Sequence, residues 1–298
     1  MSWDIRNFAL DVVAGSCGGA GQIIVGHPFD TIKVKLQMSA SVSDHGAVSI
    51  FRQVVKSEGL PGLFRGIAPP LATVSVLNAV LFSANGYLRG MARKISNLPE
   101  NAPLTTSMYA ACGAGSGVFM AAVACPTELV KCRLQIQSEG HVSYKGPMDC
   151  IRSIIRNRGI LGMYKGLTPT LLREVPGGLA YFTCYEVLKK SLTDVGKAPS
   201  QSTLLLSGGV AGVVYWGSTY PFDIIKTRIQ TDSDVSPRYK STADCATAIY
   251  KESGLRGFFR GVSPALIRAF PANAACFFLF ETVSGYLSKS FPAQAHVA

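Results

Sequence analysis

Hydrophobic and polar positions along the chain follow a repeating order. A long, moderately apolar segment is followed by a polar stretch, a short amphipathic segment and a second long apolar segment. Three rounds of this order give six apolar segments of about 20–30 residues, the length a helix needs to cross a bilayer. No apolar run is a clean twenty-residue span; the segments are rich in Gly, Ala and Ser instead. Such segments can span a membrane if their polar faces turn toward a shared interior. The pattern predicts a first helix over about Phe8–Gln37 and even-numbered helices over about Ala68–Arg93, Thr168–Lys190 and Ser263–Ser288. Shorter helices predicted near Ala47–Ser57, Met148–Arg158 and Thr242–Ser253 cannot cross and should lie along a surface. The expected fold is an all-α membrane protein with six transmembrane helices in three pseudo-symmetric tandem repeats. Six spans place both termini on one side and the long basic loops on the other.

The first long segment of each unit ends on one motif. Pro28-Phe29-Asp30-Thr31-Ile32-Lys33-Val34-Lys35-Leu36-Gln37 returns as Pro126-Thr127-Glu128-Leu129-Val130-Lys131-Cys132-Arg133-Leu134-Gln135 and as Pro221-Phe222-Asp223-Ile224-Ile225-Lys226-Thr227-Arg228-Ile229-Gln230. Pro126 lies 98 residues after Pro28, and Pro221 lies 95 after Pro126, which sets repeats of 1–97, 98–195 and 196–298. Each proline should end or kink its helix. The acid and first base of each copy are three residues apart and share a helix face. Around a threefold axis, each acid can then meet a base of a neighbouring unit. The pairs Gly15/Gly19, Gly113/Gly117 and Gly208/Gly212 precede the prolines at one constant offset and should let neighbouring helix backbones touch. Each short helix leads into an aromatic-base-glycine triplet: Phe64-Arg65-Gly66, Tyr164-Lys165-Gly166 and Phe259-Arg260-Gly261. The aromatic suits a membrane interface, and the base beside helix-N-terminal amides suits a lipid phosphate.

Composition narrows the function. Only 16% of residues are charged against 48% hydrophobic, where a soluble domain carries about a quarter charged. The net charge of +11 is spread along the chain, fitting a protein that lies against anionic lipid or handles anions. No basic face or motif points to nucleic acid. The eight cysteines form no CxxC and the four histidines are isolated, so no metal and no cofactor is assigned. Cys112-Gly113-Ala114-Gly115-Ser116-Gly117 lacks the spacing and setting of a nucleotide loop. No nucleophile-base pair or phosphate loop indicates an enzyme. The N-terminus, Met1-Ser2-Trp3-Asp4-Ile5-Arg6, shows neither a secretory apolar region nor an Arg/Ser-rich presequence, so targeting information is expected to be internal.

The three proline-acid-base stretches, the short helices and the triplets together resemble the mitochondrial carrier family across essentially the whole chain. Leu171-Leu172-Arg173-Glu174-Val175-Pro176-Gly177 and Ile267-Arg268-Ala269-Phe270-Pro271-Ala272-Asn273-Ala274-Ala275-Cys276-Phe277 look most like carnitine/acylcarnitine and ornithine-type carriers. Gly26-His27-Pro28-Phe29-Asp30-Thr31 and Pro69-Pro70-Leu71-Ala72-Thr73-Val74 also resemble the plant carnitine-carrier-like branch. The resemblance implies a multi-pass inner-membrane transporter, with termini toward the intermembrane space and the repeated motifs closing the matrix side. It also implies that the triplet residues Arg65, Gly66, Lys165, Gly166, Arg260 and Gly261 hold a membrane lipid, cardiolipin. A monomer is expected, with association with a larger inner-membrane complex left open.

Residues common to all three units should open and close the protein. The expected matrix gate pairs Asp30 with Lys131, Glu128 with Lys226 and Asp223 with Lys33, braced by Gln37, Gln135 and Gln230. A cytoplasmic gate should pair Arg89 with Glu186 and Lys189 with Glu281; Gly86 and Ser284 stand where a third acid and base belong. Residues that break the symmetry should read the substrate. Between the levels of the two rings, Arg173, Glu174 and Arg268 are the charged residues found within the even-numbered spans, and a charge inside a membrane is costly enough to mark a functional position. Two guanidiniums favour a carboxylate and Glu174 favours a cationic nitrogen; Thr73, Asn78 and Asn273 could add hydrogen bonds. The joint reading is a small-molecule substrate carrying both groups, an amino acid or a carnitine ester. A carrier of another organic anion and a carrier-shaped structural subunit remain as alternatives.

Overall fold

The computed structural model describes residues 5–38, 46–99, 104–137, 144–193 and 200–290. These form long helices α1 (Ile5–Met38), α3 (Ala68–Ile95), α4 (Thr106–Ile136), α6 (Leu167–Ser191), α7 (Gln201–Thr231) and α9 (Val262–Ser290). Three short ones, α2 (Ala47–Glu58), α5 (Pro147–Arg158) and α8 (Thr242–Ser253), stand between the long helices of each unit. No strand occurs among the described residues. Leu60–Ile95, Thr106–Ile136 and Thr242–Leu287 each contain a window apolar enough to cross a membrane. Large apolar side chains such as Phe119, Leu206, Phe270 and Phe278 face outward, as expected where lipid replaces water.

The prolines do not end their helices. Pro28, Pro126 and Pro221 lie inside α1, α4 and α7, so each acid-base motif sits on the last helical turns beyond its proline. Helix starts follow local chemistry: Thr105, Ser200 and Ser241 accept hydrogen bonds from the backbone amides of Met108, Thr203 and Asp244, the ordinary N-cap device. Each short helix is fastened to the motif end of its unit by a small apolar core. Ile50 and Val54 of α2 pack on Ile32 and Leu36. Cys150 and Ile154 of α5 pack on Leu129, Val130 and Leu134. Cys245 and Ile249 of α8 pack on Ile224 and Ile225.

The long helices stand side by side, with α1 along α9, α4 between α3 and α6, and α6 along α7. The glycine pairs contribute unequally. A Cβ at Gly113 or Gly117 would run into the α6 backbone at Gly178 and Glu174, and one at Gly19 would meet Val74. In unit 3, Gly212 has nothing within 4 Å of such an atom. The triplet glycines act alike in all three units. Gly66, Gly166 and Gly261 have φ of +78°, +86° and +81°, a left-handed backbone that glycine adopts without steric cost. Each lies against the motif helix of the next unit, Gly66 beside Gln135, Gly166 beside Gln230 and Gly261 beside Gln37. The turn into every even helix is thereby fitted onto a neighbouring repeat.

Candidate functional site

The three motif ends converge, and each acid meets a base of another unit. Lys131 Nζ is 2.6 Å from Asp30 Oδ2, Lys226 Nζ is 2.5 Å from Glu128 Oε2, and Lys33 Nζ is 2.6 Å from Asp223 Oδ2. These are the three pairings the repeat symmetry predicts. Lys33 also lies 4.6 Å from the ring centre of Trp216, within cation–π range.

The three glutamines behave differently from one another. Gln37 Nε2 donates to Asp223 Oδ2 at 3.0 Å and to the Tyr220 hydroxyl at 3.3 Å, so it touches an ion pair directly. Gln135 Nε2 donates to Thr31 Oγ1, and Gln230 Nε2 to the Cys125 carbonyl. The latter two bind the neighbouring helix close to the proline instead of bracing a pair. His27 Nε2 contacts the Arg65 carbonyl at 2.9 Å, and Thr31 donates to that of Leu63, closing the seam beneath the first triplet.

Above the ring lies a cavity of about 790 Å³ lined by α3, α4, α6 and α7, with Glu174, Tyr215 and Trp216 at one end and Arg89, Glu186 and Lys189 at the other. A smaller chamber of about 240 Å³ lies among the ion pairs, and Arg173, Arg268, Tyr215 and Trp216 border it. The predicted binding charges are therefore not held apart from the ring. Arg173 Nη1 donates to Asp223 Oδ1 at 3.0 Å, and Nη2 donates to both Glu128 oxygens at 2.9 and 3.1 Å and to Glu174. Arg268 Nη1 lies 3.2 Å from Asp30 Oδ1. Ring and site thus hold five bases (Lys33, Lys131, Lys226, Arg173, Arg268) against four acids (Asp30, Glu128, Asp223, Glu174), one positive charge in excess.

The uncharged candidates lie outside this cluster. Thr73 Oγ1 donates to the Pro69 carbonyl of its own helix. Asn273 Oδ1 accepts from Gln22 Nε2 at 2.8 Å, which ties α9 to α1. Asn78 is exposed on α3 beside Gly19.

At the far end, Arg89 Nη2 is 3.9 Å from Glu186 Oε1, a loose contact. The Arg89 guanidinium stacks over the Tyr109 ring. Lys189 pairs with Glu186 at 2.7 Å, one turn away on the same helix. The Glu281 side chain lies outside the described residues, and with it the expected Lys189–Glu281 contact. Glu186 thus gathers both described bases, because a partner three residues along the helix is always within reach.

The second base of each motif builds a further layer. Lys35 pairs with Glu58 at 3.1 Å and Arg228 with Glu252 at 2.6 Å, both acids on the short helix of the same unit. Glu58 also reaches the triplet base, with Oε2 3.0 Å from Arg65 Nη1. Unit 2 has Arg158 immediately before Gly159, where unit 1 has Glu58 before Gly59. The missing acid comes from unit 3. Asp234 accepts from Arg133 Nη1 and Nη2 at 2.6 and 2.8 Å and also pairs with Arg158 and Lys165. Burial would raise the Asp234 carboxyl, but the hydrogen bonds and charge of Arg133 and Lys165 outweigh it and hold the group below its usual range. Lys165 Nζ donates as well to the carbonyls of Asp232 and Ser233, so this triplet base is taken up by protein acceptors. Arg260 and Gly261 border a groove of about 210 Å³, and Lys165 and Gly166 one of about 490 Å³.

A threefold set of motif helices converging on a ring of inter-unit ion pairs, beneath a cavity between membrane-length helices, is the architecture of a solute carrier. The family model described as mitochondrial carrier protein matches residues 5–96, 102–196 and 198–291. The chain belongs to the mitochondrial carrier family. It is 42% identical to a mitochondrial carnitine/acylcarnitine carrier-like protein of Arabidopsis thaliana, covering 91% of this chain and 96% of that one. It is 39% identical to a mitochondrial basic amino acids transporter of Bos taurus, covering 93% and 92%, and 38% identical to a glutamate/glycine mitochondrial carrier of Schizosaccharomyces pombe, covering 93% and 94%. The protein is a multi-pass transporter of the mitochondrial inner membrane that moves a small-molecule solute, and it is not an enzyme.

Tyr215, Trp216, Gln22 and Asp234 went unread in the sequence. A systematic search for the partner of each unit's second base would have flagged Asp234, since α5 carries three arginines and one acid, Asp149, at its start. Tyr215 differs from Gln22 and Met120 at the equivalent positions of the other units, a signal the repeat offers, but its partner depends on which helix lies opposite.

Proposed function

We propose that the protein carries a metabolite with both a carboxylate and a cationic nitrogen, a carnitine or acylcarnitine or an amino acid, by alternating access. The observation that carries the reading is Arg173, whose guanidinium bridges Glu174 and the two ring acids Glu128 and Asp223. A substrate carboxylate entering from the large cavity competes with those acids for Arg173, and with Asp30 for Arg268. Arginine offers such a group a two-pronged grip. The excess positive charge favours its entry, and Glu174 takes the cationic end. Once the arginines are drawn to substrate, the ring keeps its three lysine contacts alone. Each charge-assisted contact contributes about 1.5–3 kcal/mol, so removing the arginine contacts lowers the cost of opening that side.

In this reading the ring is the matrix gate, the termini face the intermembrane space, and Arg89, Glu186, Lys189 and Glu281 form the cytoplasmic gate. With loose contacts at that end, the carrier rests open to the cytoplasm and works as an exchanger or a uniporter. The grooves beside Gly166 and Gly261 receive a phospholipid phosphate, for which cardiolipin is the natural candidate. The test is uptake into liposomes of labelled carnitine, acylcarnitine, glutamate, lysine and ornithine. Uptake of at least one of these is expected; uptake of none of them, with an amine-free dicarboxylate such as succinate carried instead, overturns the assignment.

A further inference from the structure

The positions six residues before the motif prolines are Gln22, Met120 and Tyr215. They are equivalent by repeat symmetry and chemically unlike, which is the mark of residues that shape a substrate site more than a gate. Gln22 is held by Asn273. Met120 lines the large cavity. Tyr215 alone of the three borders both the large cavity and the chamber within the ring.

Tyr215 is on α7, and its hydroxyl donates to Glu174 Oε2 on α6 at 3.2 Å. The other Glu174 oxygen is bonded to Arg173. Access for the ring depends on Gly177, one turn from Glu174. A Cβ at Gly177 would collide with the Tyr215 ring, so α6 leaves a notch through which the phenol reaches the carboxylate. Trp216 packs edge-on against the same ring, with centroids 5.6 Å apart. The phenol is thus fixed from two sides.

We infer that Tyr215 is a positioning residue for transport, holding the Glu174 carboxylate at the cavity floor for the cationic group of the substrate. The inference rests on the substrate class given under Proposed function. The physical difference between the two partners of Glu174 is charge. Arg173 neutralises the carboxylate and is itself the group a substrate carboxylate draws away. The neutral phenol donates a hydrogen bond without cancelling the negative charge. When Arg173 turns to substrate, Tyr215 keeps Glu174 in place and leaves its charge available to the amine or quaternary ammonium.

The test uses purified carrier in liposomes, with labelled carnitine, acylcarnitine, glutamate, lysine and ornithine as probes. For whichever probe the wild type carries, Tyr215→Phe raises KM about tenfold or more, the worth of one hydrogen bond to a charged group, while Vmax stays within about twofold, since one contact to the site is lost and no ion pair of the ring is. Glu174→Gln raises KM further, and adding Tyr215→Phe to it has no additional effect, because both act through one carboxylate. Gly177→Ala, which pushes the ring off its seat, reproduces the KM rise without touching either partner. Unchanged KM in Tyr215→Phe, or multiplicative effects in the double variant, overturns the inference and leaves the substrate class standing. Wild-type protein that carries none of these five probes overturns the substrate class and this role together.

Discussion

Arg133 on α4 and Asp234, 101 residues further along, form a two-pronged ion pair at 2.6 and 2.8 Å that joins unit 2 to unit 3. In the other units the equivalent bases, Lys35 and Arg228, find acids on their own short helices. The threefold arrangement is therefore uneven outside the central ring, and the seam between units 2 and 3 carries a clasp built from one carboxylate and three cations. Asp234→Asn leaves Arg133, Arg158 and Lys165 crowded without a counter-charge. We expect the purified carrier to lose about 2 kcal/mol of stability, read as a lower unfolding temperature in detergent. An unchanged unfolding temperature contradicts the clasp.

The clasp also has a direction in pH. The Asp234 carboxyl sits below its ordinary value in the folded protein, so its contribution is fully present above the unfolded value of about 3.9 and fades as pH falls through the folded value. The wild-type advantage over Asp234→Asn should stay constant between about pH 5 and pH 8 and shrink only at lower pH. Parallel unfolding series of the two proteins over that range check this.

Reversing the charges of one ring pair tests the proposed gate. Asp30→Lys with Lys131→Asp is expected to retain more uptake than either single change. Recovery will be partial, because Arg268 lies 3.2 Å from Asp30 and would then face a lysine. A double variant no better than the singles counts against the pairing as a moving part.

Arg268→Ala should abolish uptake while the unfolding temperature stays close to wild type. Asp30 keeps Lys131 at 2.6 Å after the change, so the fold retains its counter-charge while the substrate loses a carboxylate partner. Normal uptake kinetics in liposomes would refute the substrate role.

Gly166→Ala places a Cβ on a backbone with φ of +86° and within 2.8 Å of Gln230 Cγ. A left-handed non-glycine residue costs about 1–3 kcal/mol, and the displaced glutamine adds to it. A clear fall in unfolding temperature is expected, larger than for Gly46→Ala, where a Cβ meets nothing within 4 Å.

The order of helices, the repeat and the three ring pairings could be read from the chain alone. Their cause is periodic: an acid and a base three apart on a helix, repeated three times, allow one closed set of neighbour pairs. Helix limits were equally legible, since α8 runs Thr242–Ser253 as expected and α1 extends the anticipated Phe8–Gln37 by only a few residues. The prolines were harder to judge, because a kink and a stop have the same local signature. Here the helices run on.

The chain also singled out Arg173, Glu174 and Arg268, because charge within an apolar segment is conspicuous. Only the tertiary structure decided what those charges touch. Arg173 reaches Glu128 and Asp223 as well as its neighbour Glu174, which ties the candidate binding site to the ring. Gln37 alone of the three glutamines contacts a ring acid. Tyr215 and Asp234 gain their places from helices and loops in other units. Repetition along the chain determines contacts that obey the symmetry, since each copy reports on the others. Contacts that break it depend on side-chain reach and on which element lies opposite, and those distances exist only once the three units have closed on one another.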